Sequence, residues 1–293
     1  MAANQDRHSI LFLVTGASRG LGRSIALAFQ QHFLATSDRA SSLQLHFSLV
    51  ARSQQGLEET LQQLEGQAGK GKESSSLNIS IDYSIHSFDL GDLANLETNF
   101  NQVLNKLQQT PWSQFILINN AGSLGSLGPC WNEPQSSLQH MQAIIDFNVT
   151  SALWIATKCL HWVLKEQTNN RTPQTTMVNV SSLTAIQAFP SMGLYSAGKA
   201  ARDMFHACME QELSSAGSTS KTMPPFKVLN YAPGPLETDM TEEIRGAPNL
   251  DASLKPHYDK RLVNANDSAK VLVALVAKNE FTSGSHVDYY DCL

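Results

Sequence analysis

The sequence predicts an α/β protein with a doubly wound, mostly parallel seven-stranded sheet and helices on both faces. Three observations support this fold class. Seven short apolar runs recur along the chain, several of them are continuously apolar, and longer stretches with helical spacing of apolar residues separate them. Continuous apolarity is typical of strands that are covered on both faces. Alternation of strands with helices implies parallel strands joined by right-handed crossovers.

The predicted strands follow the apolar runs in chain order. They are residues 10–16, 43–51, 84–90, 115–122, 175–182, 226–234 and 286–290. Helical spacing of apolar residues is found between these runs, at residues 24–33, 93–107, 151–166, 200–213 and 268–278. Three polar stretches between a helix and the next strand are expected to be surface segments, namely 35–42, 66–76 and 214–225. Because such segments decorate one domain and do not divide two, we expect residues 1–293 to form a single domain.

Composition and charge argue against several classes of protein. Of the 293 residues, 42% are hydrophobic and 16% are charged, so there is enough apolar material for a substantial core. The net charge is −5 without a dense run of Lys and Arg, which argues against nucleic acid or an anionic membrane as the main partner. The first apolar run, 10–14, is too short for a signal peptide or a membrane span, so we expect a soluble, cytoplasmic protein.

The cysteines give no sign of a metal site or a disulfide scaffold. They lie far apart and form no CxxC pair and no cluster with histidine, so no metal is expected. The four positions are Cys130, Cys159, Cys208 and Cys292.

A glycine-rich turn, TGASRGLG, follows the first predicted strand directly and contains Gly16, Gly20 and Gly22. Glycine allows a positive φ and lets the backbone approach a pyrophosphate, which binds the amide groups at the N-terminus of the next helix. An ordinary strand-to-helix turn could also contain these glycines. The position after the first strand of an α/β chain favours a dinucleotide site.

Two arginines indicate which dinucleotide is bound. An acid at the end of the second strand would accept hydrogen bonds from the ribose 2′-hydroxyl of NAD, but this chain has Arg52 there. Arg19 lies in the glycine turn. Two guanidinium groups suit a 2′-phosphate, so NADP(H) is the predicted cofactor. The alternative is that both are solvated surface arginines.

Tyr195 and Lys199 are four residues apart, one helical turn along the same face. A neighbouring ammonium favours the phenolate and should lower the phenol pKa from about 10 toward neutrality. Two serines, Ser181 and Ser182, end the fifth predicted strand, and Asn148 follows the fourth. Carboxyl ends of strands are where open α/β sheets bind ligands, so these side chains are candidates for one catalytic site.

The glycine spacing, with three residues between Gly16 and Gly20, and the run YSAGK resemble the short-chain dehydrogenase/reductase family. The resemblance implies a Rossmann-type NADP-binding domain that reduces carbonyl groups. It implies that Tyr195 donates a proton to the carbonyl oxygen while the nicotinamide delivers hydride.

The resemblance also implies the roles of the other catalytic residues. Ser182 would hydrogen-bond the carbonyl oxygen, and its choice over Ser181 rests on the family spacing. Lys199 would hold the nicotinamide ribose and tune the tyrosine, and Asn148 would support a chain of waters to solvent.

The family pattern places most cofactor contacts on five segments, each at or just beyond the carboxyl end of a predicted strand, and two more on the run YSAGK. They include Tyr195 and Lys199 and are otherwise Gly16, Ser18, Arg19, Gly20, Leu21, Gly22, Arg52, Ser53, Asp89, Leu90, Asn120, Ala121, Gly122, Pro233, Leu236, Thr238, Asp239 and Met240. The substrate contacts that it implies are Ser182, Leu183, Tyr195, Gly234 and Asp288.

Longer runs, AGKAARDM, NYAPGPL and SGSHVDYYD, resemble a branch of the family that reduces the side-chain ketones of pterins. In that branch Asp288 would grip the pterin ring, and a homodimer is implied. Asp291 is expected to be a solvated end residue, and Asp203 an acid on a helix surface. The longer polar stretches depart from the branch pattern without touching a motif residue.

Two alternatives stay open on the sequence. The first is a general carbonyl or diketone reductase of the same family, which would have no need of a carboxylate at Asp288. The second is a catalytically inactive protein that senses NADP(H), against which the intact set of Ser182, Tyr195 and Lys199 argues.

Overall fold

The computed structural model describes residues 8–37, 42–74, 78–108, 110–132, 137–166, 173–219, 225–259 and 262–293. Within them, seven strands form one sheet in the order β3-β2-β1-β4-β5-β6-β7, and every neighbouring pair is parallel. The strands are β1 (His8–Thr15), β2 (Leu43–Ala51), β3 (Ile79–Ser87), β4 (Gln114–Asn119), β5 (Gln174–Val180), β6 (Phe226–Ala232) and β7 (His286–Asp288). The predicted doubly wound fold class is confirmed.

The start of the third strand is the strand boundary that was predicted least well. The strand begins at residue 79 and not at residue 84, and it ends at residue 87. β3 lies at the edge of the sheet beside β2, where apolar residues alternate with polar ones and one side packs against the core. The criterion of continuous apolarity therefore missed its first half.

Helices connect the strands on both faces of the sheet. They are α1 (Gly20–Thr36), α2 (Gln54–Ser74), α3 (Leu93–Leu107), α4 (Leu138–Ile145), α5 (Ser151–Glu166), α6 (Gly193–Thr219), α7 (Asp239–Gly246), α8 (Lys255–Asp259) and α9 (Ala265–Lys278). A π-helical segment, Asp146–Thr150, joins α4 to α5.

All three of the expected polar surface segments are partly helical. α1 continues through residues 35–36, α2 through residues 66–74 and α6 through residues 214–219. Apolar periodicity could not report these last turns because almost no large apolar residue falls in them. Residues 38–41, 75–76 and 220–224, which complete the three predicted segments, lie outside the described residues.

The core consists of two apolar layers, one on each face of the sheet. On one face α1 and α9 cover a cluster in which the rings of Phe12 and Phe47 stack at 4.6 Å between centroids. On the other face α3, α5 and α6 cover a cluster around Phe100, Phe115 and Trp162. Burial of each such ring contributes about 1.5–3 kcal/mol, so these layers hold the strand ends in a fixed arrangement.

The stretch of residues 138–165, which comprises α4, the π segment and most of α5, is long and apolar enough to cross a membrane. It has 28 residues and its most apolar window has a mean hydropathy of 1.2. One such helix is weak evidence, because core helices of soluble proteins pass the same test. Here Trp162 and Cys159 on this stretch are buried against the sheet.

Candidate functional site

Apart from Tyr195 and Lys199 on α6, the predicted cofactor residues fall where strands end. They follow β1 (16–22), β2 (52–53), β3 (89–90), β4 (120–122) and β6 (233–240). Because all seven strands are parallel, these segments meet at one edge of the sheet. The strand order reverses between β1 and β4, which makes this edge the crevice where doubly wound sheets bind ligands.

The glycine turn after β1 has no room for a side chain at Gly16 or Gly22. Gly16 and Gly20 have φ values of +68° and +54°. A Cβ at Gly22 would lie 2.3 Å from the carbonyl oxygen of Gly16 and 2.6 Å from Nδ2 of Asn120. Nδ2 of Asn120 in turn donates a hydrogen bond to the carbonyl oxygen of Thr15 at 3.0 Å. The turn therefore needs glycine at its two ends and is tied to the loop after β4.

The N-terminus of α1 offers its amide groups to an anion. The residue that precedes the helix, Arg19, makes no side-chain capping hydrogen bond, and the first turn has no acidic residue. The first amides of a helix have no partner within the helix and carry a partial positive charge. A pyrophosphate group fits these observations, so the turn is suited to a dinucleotide.

The two arginines that were predicted to bind a 2′-phosphate lie at the open end of this crevice. Arg19 and Arg52 have 74% and 83% of their side chains exposed. The guanidinium of Arg19 lies 2.5 Å from Asp239, and that of Arg52 lies 3.5 Å from Asp89. Such exposed ion pairs contribute only about 0–1 kcal/mol, so a phosphate could displace either carboxylate.

The structure brings Ser182, Tyr195 and Lys199 together at the ends of β5 and α6. The hydroxyl of Ser182 lies near the phenol of Tyr195 and acts to lower its pKa, and Nζ of Lys199 lies 5.5 Å from the centre of the tyrosine ring. Nζ donates a hydrogen bond to the carbonyl oxygen of Val180 at 2.6 Å. Ser181 is buried, and its hydroxyl has no hydrogen-bond partner among the described residues. The geometry therefore favours Ser182 over its neighbour.

The expected lowering of the tyrosine pKa by Lys199 is not what the structure shows. Burial raises the pKa of Tyr195 above its ordinary value, while the hydroxyl of Ser182 and the positive charge of Arg202 act in the opposite direction. Burial lowers the pKa of Lys199 well below its ordinary value, and Arg202 lowers it further. A raised pKa keeps Tyr195 protonated at neutral pH, which is the form that a proton donor needs.

Asn148 lies in the π-helical segment between α4 and α5 and is buried. Its side-chain oxygen accepts a hydrogen bond from the amide of Ser123, and its Nδ2 donates to the carbonyl oxygen of the same residue, both at 2.8 Å. A Cβ at Gly122 would lie 3.6 Å from this oxygen and 3.7 Å from Nζ of Lys199. Asn148 thus fixes the loop after β4 beside the lysine; its expected role toward water stays a prediction.

The C-terminal residues are ordered along the sheet edge. β7 pairs with β6, and Asp288 lies opposite Ala232 at the carboxyl end. The Asp288 carboxylate accepts a hydrogen bond from the amide of Tyr290 at 2.9 Å, and the amide of Asp288 donates to the carboxylate of Asp291 at 3.0 Å. Asp291 is exposed as expected, but it also caps this last turn, so the prediction of a merely solvated residue was incomplete.

The segment after β6, residues 233–240, lies against two other parts of the site. A Cβ at Gly20 would lie 3.8 Å from the methyl group of Thr238, which places this segment against the glycine turn. Gly234 has a φ of +76°, and a Cβ there would lie 3.5 Å from the ring of Tyr290. The segment therefore touches both the glycine turn and the C-terminal turn.

A small apolar cluster, which the sequence did not reveal, packs around Tyr195. It consists of Leu124, Met192, Ile244, Leu250 and Leu254, with Leu127, Phe189, Met240, Ala247 and Tyr258 at its margin. The hydroxyl of Tyr258 donates to the sulfur of Met192 at 3.8 Å, and burial together with the nearby Tyr195 raises the pKa of Tyr258 to about 12. A second phenol, that of Tyr258, thus lies near the candidate proton donor and is neutral at neutral pH.

Arg202 and Asp203, one turn beyond Lys199, belong to a buried network. Arg202 is fully buried; it donates to Oδ1 of Asn179 at 2.7 Å and also to the carbonyl oxygens of Ala121 and Asn119. Burial lowers the pKa of Arg202 to about 10, opposed by Tyr195 and Asp203.

The expectation that Asp203 is an acid on a helix surface was wrong. Its side chain is only 12% exposed, and its carboxylate accepts hydrogen bonds from Asn179 at 2.9 Å and from Nδ1 of His286 at 2.6 Å. The helix face that carries Asp203 lies on the sheet, against polar residues of β5, β6 and β7. One sequence signal could have found this network, namely single asparagines within the apolar strands at residues 119, 179 and 230.

Comparison with known proteins gives consistent matches. Residues 11–249 match the family model described as short chain dehydrogenase. Sepiapterin reductase of Bos taurus is 34% identical over 96% of this chain and 94% of its own length, and that of Xenopus tropicalis is 32% identical over 99% and 100%. A benzil reductase of Bacillus cereus is 26% identical over 93% and 96%. A crystal structure of levodione reductase superposes with a TM-score of 0.67 at 18% identity over 96% and 95% of the two chains, which supports the fold alone.

Proposed function

Because this chain belongs to the short-chain dehydrogenase family and is an oxidoreductase, we propose that it reduces the side-chain ketones of pterins with NADPH. The substrates would be sepiapterin and 6-pyruvoyl-tetrahydropterin, and the products di- and tetrahydrobiopterin. The observation that carries the proposal is the position of Asp288 at the same sheet edge as Ser182 and Tyr195. In this proposal residues 1–293 are one cytoplasmic NADP-binding domain that assembles as a homodimer.

In the proposed reaction the protein supplies a proton donor and a fixed carbonyl site. Tyr195 is protonated at neutral pH and passes its proton to the carbonyl oxygen as that oxygen gains negative charge. Ser182, whose hydroxyl lies near the phenol, donates to the same oxygen and orients it. The apolar cluster around Tyr195 excludes water from this point.

The cofactor would be held along the crevice from the glycine turn to Lys199. The amides at the start of α1 bind the pyrophosphate, Arg19 and Arg52 bind the 2′-phosphate, and Lys199 holds the nicotinamide ribose. When bound, NADPH supplies the hydride that reduces the ketone. The residues present fit this cofactor, since glycines at positions 16, 20 and 22 leave the backbone of the turn open to a pyrophosphate and both guanidinium groups are exposed.

Changing Arg52 to Asp is expected to reverse the cofactor preference. Each charge-assisted hydrogen bond to the 2′-phosphate contributes about 1.5–3 kcal/mol, so its loss corresponds to roughly 10- to 150-fold weaker use of NADPH. An aspartate can instead accept hydrogen bonds from the ribose hydroxyl of NADH. The measurement is the ratio of kcat/KM for the two cofactors, with Arg245→Asp on α7 as a matched change outside the predicted contacts. An unchanged ratio would remove Arg52 from the cofactor site.

The pterin ring has one edge that carries hydrogen-bond donors, and a carboxylate can bind this edge. Its amino group and neighbouring ring N–H lie side by side, and a carboxylate accepts both with its two oxygens. Asp288 is partly exposed, and one of its oxygens already accepts from the amide of Tyr290, which fixes the orientation of the carboxylate. The proposal therefore assigns the ketone to Tyr195 and the far edge of the ring to Asp288.

The variant Asp288→Asn tests this assignment. Asparagine keeps the oxygen that caps Tyr290 but places a donor against the donor edge of the ring, so kcat/KM for sepiapterin should fall about tenfold or more. A small diketone should be reduced as before. Asp291→Asn is the matched control, because it also keeps a capping oxygen and lies three residues away. Equal losses on both substrates, or a larger pterin loss in Asp291→Asn, would contradict the proposal.

A general diketone reductase is the second candidate function. The similarity to a benzil reductase and the apolar cluster around Tyr195 favour it. An assay of the purified protein with NADPH, sepiapterin and a simple diketone separates the two, since a carboxylate at the pocket gives no advantage to an apolar ketone. A protein that only senses NADP(H) would reduce neither substrate.

A further inference from the structure

We propose that Asp203 and His286 are a positioning pair, which docks the C-terminal strand β7 onto α6 and so fixes Asp288 relative to Tyr195. The pair joins Nδ1 of His286 to Oδ2 of Asp203 at 2.6 Å. The role of Asp288 in this inference rests on the proposed function, whereas the docking itself does not.

Asp203 is held by three neighbouring strands. Its second carboxylate oxygen accepts from Nδ2 of Asn179 on β5, and its backbone oxygen accepts from Nδ2 of Asn230 on β6 at 3.3 Å. His286 on β7 supplies the third contact. A buried carboxylate is stable only when its oxygens are hydrogen-bonded, so the helix and the three strands are locked at this point.

His286 completes a polar row that crosses the sheet. We define the polar row as Asn119, Asn179, Asn230 and His286, which are successive register partners in β4, β5, β6 and β7. Because a carboxylate only accepts hydrogen bonds, Nδ1 of the imidazole must carry the proton that Asp203 receives. The other ring nitrogen is buried and has no partner within the described part of the chain.

β7 depends on this contact more than the other strands do. It has three residues and, among the strands of the described residues, pairs only with β6, so few ladder hydrogen bonds hold it. Alternate residues of a strand point to the same face, so Asp288 points to the side of the sheet that His286 and α6 share. On α6, Asp203 is eight residues, about 12 Å, from Tyr195. A tie at Asp203 therefore sets the distance between the two ends of the proposed pocket.

The experiment compares His286→Leu with His286→Asn. Leucine fills similar space without a donor, whereas asparagine places an amide N–H near the position of Nδ1. We expect His286→Leu to raise KM for sepiapterin about tenfold or more, from the loss of a hydrogen bond to a charged group. kcat/KM for a small diketone and the Kd for NADPH should change less than about threefold. His286→Asn should restore the KM, and His161→Leu, an exposed position on α5, is the control.

Hydrogen exchange of the amides in residues 285–292 provides a readout that needs no substrate. Faster exchange in His286→Leu than in the wild type and in His286→Asn would support the docking. If exchange and KM in His286→Leu equal those of the His161→Leu control, the pair positions nothing. Equal losses on both substrates without rescue by asparagine would mean a structural role only and would also overturn the proposal. A wild-type protein that fails to reduce sepiapterin would overturn the proposed function, and the exchange result would still decide the docking.

Discussion

Replacing Tyr195 with Phe should lower kcat for sepiapterin by about 10²–10⁴-fold while the fold and NADPH binding persist. The change removes the hydroxyl that lies near Ser182 and keeps the ring in its apolar surroundings. General acid catalysis by a positioned side chain accounts for a factor of this size. Single-turnover rates at saturating NADPH measure the chemical step directly.

Two further tyrosines serve as comparisons for this variant. Tyr83→Phe removes a half-buried hydroxyl that donates a hydrogen bond to Oε1 of Gln30, far from the strand ends, and should leave kcat within about threefold. Tyr258→Phe removes the second phenol near Tyr195. A loss of less than about tenfold in Tyr195→Phe, or a greater loss in Tyr258→Phe, would show that Tyr195 is not the proton donor.

Replacing Arg202 with Met should lower the stability of the protein by about 3–5 kcal/mol, because it leaves buried acceptors without donors. The guanidinium donates hydrogen bonds to Oδ1 of Asn179 and to the carbonyl oxygens of Asn119 and Ala121, and it lies beside the buried Asp203. For a chain of this size the loss corresponds to a fall in Tm of roughly 6–20 °C.

The matched control for this measurement is Arg52→Met in protein without cofactor. Arg52 is exposed and, within the described ranges, forms a single weak surface ion pair, so the Tm of this variant should stay within about 2 °C of the wild type. A Tm for Arg202→Met as high as that of the control would show that the buried network contributes little to stability.

Much of the fold and the chemical side of the site could be predicted from the sequence, for physical reasons. Central strands such as β4 and β5 are buried on both faces, so their apolarity is continuous and their positions are easily found. Side chains at the ends of parallel strands meet at one edge. The positions of Ser182, Tyr195 and Lys199 at that edge therefore followed from local sequence.

What could not be predicted depends on which face of a helix meets which strand. Asp203 follows Arg202 on α6 and has no feature that separates it from a solvated acid. Its burial becomes visible only when Asn179, Asn230 and His286 are known to lie beneath the helix. The raised pKa of Tyr195 likewise results from burial, and the apolar cluster against which the ring packs includes Ile244 and Leu254, which are distant in sequence.

The polar row has a further consequence for how the chain avoids misfolded sheets. A slip of one residue in the register of β5 or β6 would turn Asn179 or Asn230 to the opposite face of the sheet. That face carries the apolar cluster to which Val178, Val180 and Leu229 belong. On that face the asparagine would be out of reach of the hydrogen-bonding side chains of α6. Each side-chain amide buried without a partner would lower the stability of the misaligned sheet by about 1–3 kcal/mol. If the four residues of the polar row were apolar, the strands would pack almost equally well in the native register and in the shifted one. The row therefore discriminates between the native alignment and kinetic traps, and its asparagines serve the accuracy of folding as well as the final stability.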